Sequence, residues 1–191
     1  TIAAGKEVVM GDPGLIPYTA KTFGPERYTY KSLGSYGHPV PLPAGKEQVP
    51  GKKAQAKITD TDLTAGKDRI LMDLTSAYDE PSLKSLTREF VYTRGASQAL
   101  TVSDKVSFGS PQKFETPIIT RSEWKQVSDR ELELTREGEK IRVRIDSPGN
   151  PYTIESEEIA EEGGVPYTRI AIRLKKPVQS AEVSVTYRVE N

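Results

Sequence analysis

His38 is the side chain with the clearest capacity for chemistry near neutral pH. It is the only histidine among the 191 residues, and imidazole is the side chain that ordinarily changes charge between about pH 5 and 8. The sequence contains no cysteine, which excludes thiolate nucleophiles, disulfides and Cys-type zinc sites. Proton transfer or metal ligation would therefore centre on His38, in the turn-like run Gly37–His38–Pro39.

Asp12 is a possible partner for His38. It follows the apolar run Val8–Met10 and precedes Pro13 and Gly14. A neutral imidazole and a carboxylate are ordinary zinc ligands, but two ligands alone would hold zinc weakly. Each residue also has a structural interpretation. His38 could bond a backbone carbonyl through its ring, and Asp12 could accept a backbone N–H within a turn.

Aromatic residues cluster in the same part of the chain. Four of the nine tyrosines, Tyr18, Tyr28, Tyr30 and Tyr36, lie within the first fifty residues. A tyrosine ring suits sugar faces and buried hydrogen bonds alike. We expect most of these rings to pack in the core or on a sheet, with Tyr36 the candidate for substrate contact. The single tryptophan, Trp124, is predicted to be a half-buried strand residue.

Alternating apolar and polar residues place these groups in an all-β protein. Prolines and glycines fall mainly between the alternating segments, as turn residues do, and no long helical periodicity appears. Such alternation is typical of antiparallel sheets with one buried face, so we predict a two-sheet antiparallel β-sandwich forming a single domain over residues 1–191. The main strand segments are Arg69–Thr75, Leu86–Arg94, Leu100–Phe108, Phe114–Thr120, Leu132–Thr135, Ile141–Ile145, Tyr152–Ile154, Thr168–Leu174 and Ala181–Tyr187.

Charge and composition exclude several functions. Lysine plus arginine and aspartate plus glutamate each total 27, and no basic stripe appears, which argues against nucleic-acid binding. Apolar runs such as Pro117–Ile119 are far too short to cross a bilayer, so we expect no membrane insertion. The acidic run Glu155–Glu158 with Glu161 and Glu162 lacks the regular spacing of a calcium loop and is predicted to be a solvated edge. No phosphate-binding loop or nucleophile elbow is present.

Several segments resemble the heparinase II/III-like family of polysaccharide lyases. The resemblance covers most of the chain to about residue 120 and thins beyond it. The segments that carry it are Gly11–Gly14, Tyr18–Phe23, Ser35–Pro41, Ala44–Gln48, Leu74–Tyr78, Leu86–Tyr92, Phe114–Thr116 and Ile118–Thr120.

The resemblance implies a place within a larger protein. In that family an N-terminal α/α toroid precedes a C-terminal antiparallel β-sandwich, and the substrate cleft lies between them. This chain resembles the sandwich alone. We therefore expect it to be the C-terminal part of a longer protein whose toroid is missing here, acting on an acidic polysaccharide in the periplasm or outside the cell.

The resemblance also implies roles for individual residues. Metal-binding members use two histidines and one aspartate, and by that pattern Asp12 and His38 are the second and third ligands of zinc or another divalent metal. The first ligand would lie upstream of Thr1. Members catalyse β-elimination at uronates with residues drawn largely from the toroid and that upstream strand, so the catalytic residues cannot be assigned here. We expect the isolated chain to be inactive.

Two other interpretations stay open. The chain could be a non-catalytic carbohydrate-binding sandwich, which would bind oligosaccharide through exposed aromatic rings without a metal. It could also be a structural module that packs against a helical domain through a large apolar patch. The lyase interpretation alone predicts that the side chains of Asp12 and His38 converge.

Overall fold

The computed structural model describes residues 1–14, 17–96 and 98–190. Its strands are short near the N-terminus and reach 14 residues in the middle of the chain. In chain order they are β1 (Ile2–Ala4), β2 (Glu7–Met10), β3 (Leu42–Pro43), β4 (Lys57–Leu63), β5 (Lys67–Asp73), β6 (Leu83–Thr93), β7 (Ala99–Gln112), β8 (Phe114–Thr120), β9 (Glu123–Ser128), β10 (Glu131–Arg136), β11 (Glu139–Asp146), β12 (Tyr152–Ile159), β13 (Tyr167–Leu174) and β14 (Val178–Glu190).

The strands form two large antiparallel sheets and one short hairpin. The larger sheet has eight strands in the order β4-β5-β6-β7-β14-β11-β10-β9, and the smaller has the order β12-β13-β8-β3. Among the described residues, strands β1 and β2 pair with each other and with no other strand. This architecture confirms the predicted all-β class and the two-sheet antiparallel sandwich.

The core lies between the two sheets because alternate residues of each strand point inward. In β11 the inward residues are Ile141, Val143 and Ile145, and in β13 they are Ile170 and Ile172; all five are fully buried. Burying each such side chain contributes about 1.5–3 kcal/mol relative to leaving it in water. The alternation of apolar and polar residues in the sequence thus corresponds to the alternation of buried and exposed side chains along the strands.

Strands β4, β9 and β12 differ from the sequence-based expectation. Strands β4 and β9 were not predicted, because both are edge strands of the large sheet and their residues are mostly exposed and polar. Strand β12 runs on beyond the predicted Tyr152–Ile154 through the acidic residues 155–158. It is an edge strand of the small sheet with Glu155 and Glu158 exposed, in agreement with the predicted solvated edge. Trp124 is half-buried in β9, as predicted.

A third layer covers the outer face of the small sheet. Between β2 and β3 the chain forms short 3-10 helices at Ala20–Phe23, Pro25–Thr29 and Ser35–Gly37. Tyr36 packs there against a small second cluster of Ile119, Ile159 and Tyr167. This layer holds His38 at the end of the third 3-10 helix. Among the described residues, no helix is long and apolar enough to span a membrane.

Candidate functional site

Asp12 and His38 meet although 26 residues separate them in sequence. Nδ1 of His38 lies 2.7 Å from Oδ2 of Asp12, and Nε2 of the same ring lies 3.0 Å from the carbonyl oxygen of Ser32. The other carboxylate oxygen, Oδ1, accepts the backbone N–H of Gly14 at 2.8 Å. The convergence required by the lyase interpretation is therefore present, and so are both contacts expected of the structural interpretation.

The hydrogen bonds limit what the His38 ring can do chemically. Both ring nitrogens face oxygen acceptors, so both bonds form together only when the ring carries two protons. A neutral ring can donate to Asp12 or to Ser32, but not to both. While these contacts hold, neither nitrogen is free to accept a proton from a bound molecule. The pair is arranged to fix the loop rather than to act as an exposed base.

The described residues do not by themselves form a metal site. No group of three or more His, Cys, Asp or Glu side chains converges within the described ranges. Asp12 and His38 hydrogen-bond each other directly at 2.7 Å, and a metal bound to both would have to replace that bond, while the Nε2–H could still donate to the Ser32 carbonyl. A structural zinc site has four ligands, and a catalytic one has three from the protein. Asp12 and His38 supply two.

Close packing explains why glycine precedes His38. A Cβ atom at Gly37 would overlap the Tyr167 hydroxyl and the backbone carbonyl of Lys31, while the Gly37 N–H donates to that carbonyl at 3.0 Å. Burial raises the pKa of the Tyr167 phenol well above its ordinary range. Only glycine lets the turn approach β13 closely enough to set the position of His38.

A buried ion pair holds the residue after His38. Arg88 of β6 donates two hydrogen bonds to Asp104 of β7, at 2.7 and 2.8 Å, and a third to the carbonyl of Pro39. The Thr116 hydroxyl of β8 donates to the same carboxylate at 2.6 Å. Burial lowers the pKa of Arg88, but the Asp104 charge outweighs it and raises that pKa overall, so the guanidinium stays charged. This network joins both sheets to the His38 loop.

Acidic residues from β12 and the turn after it hold the other side of the loop. Glu157 pairs with the Lys31 ammonium, and Glu161 accepts the hydroxyl and the backbone N–H of Ser32, whose carbonyl faces His38. Sequence reasoning missed both roles, since the acidic run was interpreted only as a solvated edge. The acidic run was the signal available in the sequence. It could not identify the partners, because they lie more than 120 residues away along the chain.

Tyr36, predicted as a substrate contact, is already engaged within the protein. Its hydroxyl donates to Glu157 at 2.7 Å, and the guanidinium of buried Arg169 lies 4.2 Å from its ring centroid. Burial, followed by the bond to Glu157, raises the pKa of the Tyr36 phenol, so it remains a donor. Its ring still lines an open groove on one side.

The Asp12–His38 pair lies in a groove of about 710 Å³, here called the Asp12 groove, lined also by Tyr28, Pro39 and Glu47. Tyr28 is 56% exposed. Tyr18 and Phe23 are also strongly exposed nearby in sequence, with ring centroids 5.1 Å apart. Most of the early tyrosines were expected in the core or on a sheet. Tyr18 and Tyr28 are instead exposed, because the layer that carries them has no further layer outside it.

Known proteins resemble this chain in structure. No family model and no curated protein matches it. Over 95% of its length, the chain superposes on a heparinase III with a TM-score of 0.70 and 16% sequence identity. The chain has the fold of one part of a heparinase III. Heparan sulfate lyase HepC from Pedobacter heparinus matches equally well, with a TM-score of 0.70 and 13% identity.

A further heparinase III, the BT4657 gene product, superposes with a TM-score of 0.72 and 10% identity. Each of the three matches covers 28% of the matched protein's chain, so the present chain spans little more than a quarter of the length of these proteins. The resemblance to the heparinase II/III-like family, predicted from sequence segments, is confirmed at the level of the fold.

Proposed function

We propose that this chain is the C-terminal β-sandwich of a heparinase II/III-like polysaccharide lyase and forms one wall of its substrate cleft. The observation that carries the proposal is the superposition of 95% of the chain on heparinase III structures. The Asp12 groove supports it further, because two polar residues named by the family resemblance meet there. The substrate would be a uronate-containing acidic polysaccharide.

The reaction of such a lyase is a β-elimination. A base removes the proton α to the uronate carboxyl group, an acid protonates the departing 4-linked sugar, and a third group neutralises the carboxylate. In this proposal the present chain holds one wall of the substrate cleft in place and supplies neither the base nor the acid. The Asp12–His38–Ser32 contacts fix the groove wall, and Arg88 and Glu161 anchor that wall to the two sheets. The base and acid come from outside this chain, which is therefore inactive alone.

A divalent metal held by Asp12 and His38 is a separate part of the proposal. The family pattern supports it, but the pair needs at least one further ligand from outside this chain. The helical domain of the parent protein is the proposed partner for the exposed side of the loop layer. A periplasmic or extracellular location is proposed from the family resemblance alone.

Activity of the longer protein that contains this sandwich tests the proposal. Heparan sulfate and other uronate polymers would be incubated with it, and the ultraviolet absorbance of the unsaturated uronate product followed. We expect turnover by the longer protein, none by the 191-residue chain, and a large loss of kcat in His38→Gln. A matched control is Gln98→Glu at a distant loop, which should keep activity.

Absence of turnover on every uronate polymer, together with oligosaccharide binding by the 191-residue chain, would favour the carbohydrate-binding alternative. The exposed Tyr28 ring in the Asp12 groove is the observation on which that alternative rests. Absence of both turnover and binding would favour the structural module.

A further inference from the structure

A second groove lies on the outer side of the small sheet and is rich in positive charge. Its volume is about 580 Å³, and we call it the basic groove. Four cationic residues line it, Lys113, Arg173, Lys175 and Lys176, against two carboxylates, Glu47 and Glu115. The whole chain has a formal charge of zero, so this local excess is a property of the groove.

The fold brings the lysines together at one end of the small sheet. Lys113 is the single residue between β7 and β8, and Lys175 follows β13 directly. Strands β8 and β13 pair as far as Glu115 opposite Arg173, so Lys113, just before β8, and Lys175, just after β13, lie at the same end of the small sheet. Like charges that lie near one another repel, and a bound anion would reduce that repulsion.

The carboxylates beside the groove are already used. Glu115 accepts from Arg169 at 2.5 Å through one oxygen and from Arg173 at 2.8 Å through the other. Glu47 accepts the backbone N–H of Tyr36 at 3.0 Å. In the part of the chain that the structure describes, no carboxylate pairs with the ammonium group of Lys113, Lys175 or Lys176. These three ammonium groups are therefore exposed to solvent.

The floor of the basic groove is apolar and rigid. Leu42, Phe114 and Leu174 are at least 95% buried beneath it, and the Tyr36 ring forms one wall. Backbone hydrogen bonds fix the rim, since the Lys113 carbonyl accepts from Ala44 at 2.8 Å and the Lys175 N–H donates at 2.9 Å. An apolar floor under a cationic rim suits a sugar ring that carries anionic groups.

We propose that the basic groove binds a segment of an acidic oligosaccharide, with sulfate or carboxylate groups at Lys113, Lys175 and Lys176. The identity of the ligand as a saccharide rests on the proposed lyase function. Glu47 lines both this groove and the Asp12 groove, so a polymer chain can extend from one to the other. The groove would then hold a part of the substrate remote from the reacting bond.

Titration of the 191-residue chain with a heparin-derived tetrasaccharide, followed by calorimetry at low salt, tests this. The variant Lys113→Gln/Lys175→Gln/Lys176→Gln should raise the dissociation constant about tenfold, and binding to the native chain should weaken as salt is added. The matched control Lys52→Gln/Lys53→Gln/Lys84→Gln removes the same charge from exposed positions outside the groove. It should change the dissociation constant less than about twofold.

The comparison ligands are inorganic sulfate, a neutral cellotetraose and a single-stranded DNA oligomer of matched charge. Weaker binding of all three than of the tetrasaccharide supports the proposal. Equal binding of DNA, equal losses in the two triple variants, or no binding by the native chain would each overturn it. The lyase proposal is judged separately, by product formation in the longer protein, so either proposal can fail without the other.

Discussion

Replacing Arg88 by methionine should destabilise the protein by about 3–5 kcal/mol, because it leaves a buried carboxylate without its cation. The Arg88 and Asp104 side chains are only 9% and 2% exposed. Asp104 would retain the Thr116 hydroxyl at 2.6 Å and lose two charge-assisted bonds. The Pro39 carbonyl would also lose its donor.

Urea unfolding provides the measurement, with Trp124 fluorescence reporting on the large sheet and circular dichroism on the strands as a whole. The free energy of unfolding follows from the midpoint and the denaturant slope. The double variant Arg88→Met/Asp104→Leu should recover much of the loss, because it removes both buried charges. Arg94→Met is the matched control. Arg94 is 41% exposed and its partner Asp68 is 26% exposed, so the midpoint should change far less than in Arg88→Met.

Two results would refute the reasoning. A loss below about 1 kcal/mol in Arg88→Met would mean that the pair contributes no more than a surface salt bridge. A double variant no more stable than Arg88→Met would mean that lost packing, rather than an unpaired charge, causes the effect.

Three further predictions concern the site. Zinc should raise the melting temperature of the 191-residue chain by less than about 1 °C, since two donors bind weakly; a rise of several degrees that Asp12→Asn abolishes would contradict this. Gly37→Ala should cost about 1–3 kcal/mol in thermal unfolding, because its Cβ overlaps the Tyr167 hydroxyl; an unchanged melting temperature would show that the turn can shift freely. The bond from Lys31 holds the pKa of the Glu157 carboxyl below its ordinary value of 4.5. A carboxyl group whose pKa is lower in the folded state stabilises the protein at pH values above its unfolded-state pKa. This stabilisation is lost as the pH falls through the folded-state pKa. Glu157→Gln should therefore be less stable than the native chain at pH 7, with the difference vanishing in urea titrations below that pKa; a constant difference down to pH 2 would contradict the assignment.

Part of the candidate site could be predicted from the sequence. The resemblance to a known family named Asp12 and His38 as partners, and their side chains do meet. The spacing of the two residues alone would not have paired them. The structural interpretation of each residue was equally accessible, and the contacts to Gly14 and Ser32 match it. Metal binding by the pair stays a prediction, and it requires a further ligand from outside this chain.

The sequence by itself determined most of the strands and the class of the fold, because alternation between polar and apolar residues is a local property that the sheet preserves. Ile141, Val143 and Ile145 could be assigned to a buried face without knowledge of their neighbours. Strands β4 and β9 escaped prediction because an exposed edge strand needs no such alternation.

Only the tertiary structure decided what surrounds the His38 loop. The Arg88–Pro39 bond spans 49 residues and the Lys31–Glu157 pair spans 126, so both depend on which strands pair and in which register. The charge of the basic groove arises in the same way, from the adjacent ends of β8 and β13. Contacts of this range are consequences of packing, and packing is a property of the whole chain rather than of any segment of its sequence.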